Sequence, residues 1–393
     1  MKDLSSVLHS FKALEKFCTD EQFKGHDPYD GLNSKLFQTI PFLKKSRFFR
    51  LAWIQLFKRL PVNLRSLVGI DKLHNSKGIA LFLSGYCRLY HQNPSDESMN
   101  KVVDLADQLV DMRNKDFSGS CWGYPFDWQA RAFFQPKNTP TVVATTYAAC
   151  ALLDAYYITL NGSYLQHARS ACDFVLKDLN RTKGEGDSFA FSYSPLDSSV
   201  VYNASLLGSR LLSRVYAHTQ EEELKIAARQ SVVFCCNKQK DDGSWAYGDY
   251  SFHQWVDNFH TGFNLECLSN YAANCSDSQF DVFIQKGLDY YVQNFFSPEG
   301  ISKYYNDSIY PVDIHAPAQL VVTIDRLNRW DEYGDLVDRV MRWTIANMQT
   351  EQGYFIYQKK KYWSSTIPYM RWGQAWMFLA FSIYLSNRND KEN

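Results

Sequence analysis

Five loops of this chain share one signature, a glycine set among aromatic residues. They are Gly123 in SCWGYPFDW, Gly186 in GEGDSFAFSY, Gly243 in DDGSWAYGD, Gly300 in PEGISKYY and Gly353 in EQGYFIYQ. Successive glycines lie 63, 57, 57 and 53 residues apart, enough chain for two helices and two connections. Recurrence at such a period marks a repeat architecture and removes most folds otherwise open to 393 residues.

The flanks of each loop repeat as well. An amphipathic stretch with three- and four-residue apolar spacing precedes it: 101–113, 164–179, 222–237, 280–296 and 335–348. A more uniformly apolar, small-residue-rich helix follows: 141–160, 200–216, 261–271, 316–327 and 373–385. The first kind can face water and the second must be buried nearly all round, so the two sets predict an outer and an inner ring. Residues 46–60 and 77–90 are expected to supply the sixth pair. The predicted fold is all-α, a single (α/α)6 toroid over 1–393, with 1–70 as a helical extension completing the outer ring. Inner-to-outer connections such as 161–163 and 274–276 are short. All the long loops, with any short strands, therefore emerge at one end, where function concentrates on a rigid scaffold.

Composition narrows the partners. Lys+Arg and Asp+Glu both total 42, so no global field favours nucleic acid. Nine cysteines without C-x-x-C spacing suit a reducing compartment, and the polar Met1–Asp20 stretch shows no signal segment. No stretch is read as a membrane span, and the expected location is cytoplasmic. Residues 31–70 hold eight Lys/Arg and no acid, interleaved with Phe42, Phe48, Phe49, Trp53 and Phe57. A solvated basic face is the simpler reading; contact with anionic lipid, as weak membrane association, or with an anionic glycan is the functional one.

The loops hold the candidate chemistry. In SGSCWGYPFDWQARAFFQPKNTPT, Trp122, Tyr124, Phe126 and Trp128 offer flat faces suited to sugar rings. Asp127 and Arg131 are four apart and are expected to pair. In the Gly243 loop stand Trp245, Tyr247 and Trp255, then Asp257 and His260 at the entry of an inner helix. An aspartate there can orient an imidazole for acid–base work or cap the helix. Asp313 and His315 hold the matching place one unit on, on the same side of an extended stretch. Tyr193 is a candidate proton donor if its pKa is lowered, with Asn203 nearby. Arg371 and Trp372 are placed at the mouth, where a cation suits a substrate carboxylate or phosphate. No zinc motif, phosphate loop, dinucleotide fingerprint or esterase elbow occurs, and neither metal nor cofactor is expected.

The helical ring with mouth loops resembles the six-hairpin glycosidase and N-acylglucosamine 2-epimerase group of (α/α)6 enzymes. HDPYDGLNS, QLFKRLPVNLR, CWGYPFDWQAR, DGSW and DNFHTGFNLE also look like a family found with bacterial surface-polysaccharide biosynthesis genes. The resemblance implies an oligo- or polysaccharide substrate and leaves hydrolase, lyase and epimerase open. QKDDGSW resembles one QW repeat of the squalene and terpenoid cyclases, whose D-x-D-D cluster is absent from this sequence.

Hydrolysis would draw two carboxylates from Asp127, Asp257 and Asp313. Lyase or uronate epimerase chemistry would use Tyr193, His260 or His315, with Arg131 or Arg371 holding the carboxylate; the presence of all three side-chain types favours it. A non-catalytic glycan-binding scaffold is the second expectation. A cyclase, the third, predicts an apolar cavity without arginine.

Overall fold

The computed structural model describes residues 2–389. Its helices are α1 (Lys2–Asp20), α2 (Lys35–Gln38), α3 (Pro41–Lys45), α4 (Arg47–Arg59), α5 (Ser76–Gln92), α6 (Asp96–Asp111), α7 (Val142–Thr159), α8 (Gly162–Lys177), α9 (Tyr202–Thr219), α10 (Glu222–Cys236), α11 (Asn258–Cys275), α12 (Asp281–Phe295), α13 (His315–Arg326), α14 (Trp330–Met348) and α15 (Ala375–Asn389). Helices α5, α7, α9, α11, α13 and α15 each touch the next, and α15 closes on α5. That is the inner ring. Helices α6, α8, α10, α12 and α14 pack outside it, and the fold is an (α/α)6 toroid.

The partition follows from side-chain chemistry. Helix α7 is buried along almost its whole length, with Ala, Val, Thr and Leu on every face. It is long and apolar enough to cross a bilayer, contrary to the expectation of no such stretch, but 72% of it is buried in the ring. Helix α6 buries only Val102, Leu105, Ala106 and Leu109, one stripe at helical spacing. Inner helices α7, α9, α11 and α13 end on left-handed residues Leu160, Gln220, Ser276 and Asn328, which turn the chain sharply outward.

The sixth outer helix is α1, not 46–60. The loop glycines show why. Gly243, Gly300 and Gly353 adopt φ of +90°, +94° and +91° and press against backbone carbonyls of Lys286 in α12, Arg339 in α14 and Ala13 in α1. Each thus docks its loop on the next outer helix, and α1 occupies that place for the last loop. Glutamine reinforces the dock twice. Gln239 Nε2 donates to the Gly243 and Phe283 carbonyls, and Gln349 Nε2 to those of Gly353 and Ser10. The QW-like segment is therefore a joint of the ring. In the first two loops Gly119 and Gly184 make the close approach, against Ser170 of α8 and Phe234 of α10, while Gly186 stands in open space. Helix α4 instead lies across the loops, against the turn 30–33 and the 128–129 strand.

Gly243→Ala adds a methyl group where a carbonyl already sits and forces a residue with a side chain to φ +90°. It is expected to cost about 2–3 kcal/mol in denaturant unfolding. Gly186→Ala, at φ +59° with open space, is expected to cost about 1 kcal/mol.

Candidate active site

Every long loop delivers its chain to the N-terminus of an inner helix, so six positive helix ends converge on one mouth. An aromatic collar rims it. Tyr247 stacks on Trp255 at 4.7 Å, and Tyr193 packs on Trp128 at 5.6 Å. Tyr29 bridges Trp128 and Trp372 at 5.9 and 5.8 Å. Tyr124 stacks on Phe126 and lies under the Arg371 guanidinium.

Asp257 caps α11, accepting from the His260 backbone N–H. Its Oδ2 lies 2.7 Å from His260 Nδ1 and also accepts from Trp255 Nε1. Nδ1 is thus assigned the proton, leaving Nε2 as the basic nitrogen. Asp257 is buried while the His260 side chain keeps 23% exposure, so the imidazole alone of the pair meets the mouth. This is the arrangement of a positioned general base.

Asp313 and His315 form no such pair. Asp313 receives the His315 backbone N–H, Trp372 Nε1 and Gln358 Nε2 at 3.0, 2.9 and 2.6 Å, and it ties the 312–313 strand to the last loop. Burial pushes its carboxyl up to about 6 against these donors. His315 opens α13, and helical geometry turns its ring to the axis instead of beside Asp313. It stacks on Phe259 at 4.5 Å, packs on Trp372 and Trp376, and has no hydrogen-bond partner at either nitrogen among the described residues.

Desolvation drives the His315 pKa well below its ordinary value, with Lys77 next. A histidine held neutral in the fold but protonated when unfolded costs stability as pH falls below about 6.5. Asp313, raised to about 6, acts with the opposite sign between about 4 and 6. The clean observable is a difference. Unfolding free energy of His315→Phe minus that of the parent is expected to rise by about 1.4 kcal/mol per pH unit below 6.5.

Several sequence expectations fall elsewhere. Trp122 and Trp245 lie beneath the rim, almost fully buried, with indole N–H groups bonded to the Leu109 and Cys235 carbonyls at the ends of α6 and α10. Their faces are spent on packing. Asp127 accepts the Lys137 backbone N–H instead of pairing with Arg131, which stands exposed in the hairpin turn. Tyr193 is buried against Tyr124 and its hydroxyl pKa is raised, the opposite of an activated donor. Arg371 is not a free cation: Asp27 clamps it in two hydrogen bonds of 2.5 and 2.8 Å. Asn203 is buried in the first turn of α9, and its Oδ1 has no hydrogen-bond partner among the described residues.

The structure adds residues the sequence reading passed over. Asp27 and Asp30 of HDPYDG pair with Arg371 and Arg65, both pairs buried. Lys77 is buried inside the ring, its Nζ 4.2, 5.0 and 5.1 Å from the ring centroids of Tyr147, Phe263 and Trp376. Burial holds its pKa well below that of an ordinary lysine, and Arg371 adds to the effect. Deeper, Arg210 of α9 pairs with Glu266 of α11 at 2.7 Å. The legible signal was a lone charge inside helices that must be buried all round. These charges, with Arg371 in the mouth, remove the apolar cavity that a cyclase requires.

No family model matches the sequence, and no curated protein matches it. Solved structures do. Cellobiose 2-epimerase from Bacillus thermoamylovorans superposes with a TM-score of 0.64 at 11% identity, over 80% of this chain and 88% of that one. An alpha-mannanase from Bacteroides thetaiotaomicron gives 0.62 at 11%, over 82% and 89%. An unsaturated glucuronyl hydrolase specific for heparin gives 0.57 at 10%, over 80% and 90%. At these identities the likeness establishes the toroid.

Proposed function

We propose that this chain is a carbohydrate-active enzyme that transfers a proton at a sugar carbon, in an epimerase- or lyase-type reaction. The observation that carries the reading is the Asp257–His260 pair, with an oriented imidazole at an aromatic rim. His260 Nε2 would take the proton from a carbon next to a carbonyl or carboxylate group. The electron pair would move into an enolate oxygen, and the converging helix N-termini would stabilise the charge. Return of a proton to the opposite face gives epimerisation; loss of a β-substituent gives elimination. His315, across Phe259 from His260, is held neutral by burial, so it can offer a ring N–H but resists taking up a proton.

Hydrolysis draws less support. Asp127 and Asp313 are occupied by structural donors, and Asp257 is committed to its helix and to His260. A uronate substrate needs a cation for its carboxylate. Asp27 neutralises Arg371 and burial disfavours the charged form of Lys77, which leaves the exposed Arg131 as the cation for that carboxylate. Surface-polysaccharide metabolism remains the context implied by the sequence resemblance.

A mass-spectrometric screen of neutral disaccharides and uronic-acid oligosaccharides tests the reading. A product of unchanged total mass, either an epimer or an unsaturated fragment with its partner, supports it. Gain of one water sinks it in favour of hydrolysis, and binding without any product favours the scaffold.

A further inference from the structure

Helix α4 buries Ile54 and Phe57 toward the loops, yet Phe48, Ala52 and Leu56, spaced four apart, form a second apolar stripe facing outward. Exposure along this face is high: Phe48 is 72% exposed and Leu56 48%, while Phe42, in ring contact with Phe49, is 62% exposed. Lys44, Lys45, Arg47 and Arg59 stand exposed around it. A second element joins the patch. The 358–365 hairpin carries Tyr362, 85% exposed, and Trp363, 40% exposed, each under a lysine. Lys360 lies within electrostatic reach of Arg59 and Lys58 at the end of α4. Neither 31–70 nor 359–369 contains an acidic residue.

Water-facing helices do not ordinarily carry an apolar stripe, and a solvated basic face has no use for exposed phenylalanine. Aromatic side chains among cations, with no acidic residue in either segment, match the boundary between lipid headgroups and acyl chains. We infer that this face docks on an anionic phospholipid membrane, with α4 lying in the interfacial plane. Because α4 rests on the mouth loops, docking would hold the mouth end against the bilayer. The inference does not depend on the proposed reaction.

Co-sedimentation of the full chain with two kinds of vesicle tests it: phosphatidylcholine alone, and phosphatidylcholine mixed with phosphatidylglycerol. Binding is expected to the mixed vesicles only, weakening as salt rises. Lys44→Glu with Lys45→Glu is expected to reduce partitioning at least about tenfold. Phe48→Ser with Leu56→Ser should reduce it similarly, with the helical circular dichroism spectrum unchanged. Equal binding to both vesicles, or binding indifferent to these pairs of substitutions, would overturn the inference. So would retention on an anionic polysaccharide without any lipid binding.

Discussion

His260→Gln is expected to lower turnover by about 10²–10⁴-fold, the usual worth of a positioned acid–base group, with little change in unfolding temperature. The ring is partly exposed, and glutamine keeps part of its packing against Tyr247 and Phe259, so most of the loss should fall on catalysis. Asp257→Asn should resemble it in rate and lower stability more, because an amide nitrogen replaces the Oδ2 that accepts from Trp255 Nε1. Its side chain still caps α11 through an amide oxygen, but it no longer fixes the imidazole tautomer. Initial rates on the substrate found by screening, together with melting curves, separate the two effects. Equal turnover in parent and His260→Gln would remove the histidine from the mechanism.

Arg371→Met is expected to cost about 3–5 kcal/mol, because the Asp27 carboxylate is left buried without its cation. For a chain of 393 residues that corresponds to a fall in melting temperature of about 4–6 °C. Asp27→Leu should cost as much, leaving the guanidinium unpaired among Tyr124 and Trp372. Combining the two should recover much of the loss, since an apolar pair replaces an ionic one. Melting curves of the three variants form a double-mutant cycle. Additive losses would show that the pair is not coupled.

These expectations show where sequence reasoning reached and where it stopped. The ring was legible because burial on all sides demands apolar, small residues, and α7 has no other use for them. The loop glycines were legible because Gly243, Gly300 and Gly353 hold a conformation few other residues tolerate. The sixth outer helix was not. Residues 47–59 and 2–20 are both amphipathic, and the docking of the last loop on α1, through Gly353 on Ala13 and Gln349 on Ser10, distinguishes the ring member from the element lying over the loops.

The site was legible in part for a related reason. Asp257 and His260 are neighbours in sequence, so local helix geometry fixed their meeting. Arg371 and Asp27 are 344 residues apart, and no spacing rule joins them. Trp122 and Trp245 misled because an aromatic residue beside a loop glycine serves a rim or a joint equally well. Which it serves depends on whether the indole N–H finds a carbonyl below, as both do. Lys77 and Glu266 escaped attention because they sit in stretches read for apolar content, where the exception carried the information.

The proposed reaction requires His260 to move a proton at carbon. Incubation of the chain with its sugar substrate in deuterated water, followed by mass spectrometry of recovered substrate and product, reads that step directly. One solvent deuterium at the reacting carbon if the product is an epimer, or loss of that carbon's hydrogen if it is an unsaturated sugar, each absent with His260→Gln, is the predicted result. Turnover with every carbon-bound hydrogen retained would contradict it.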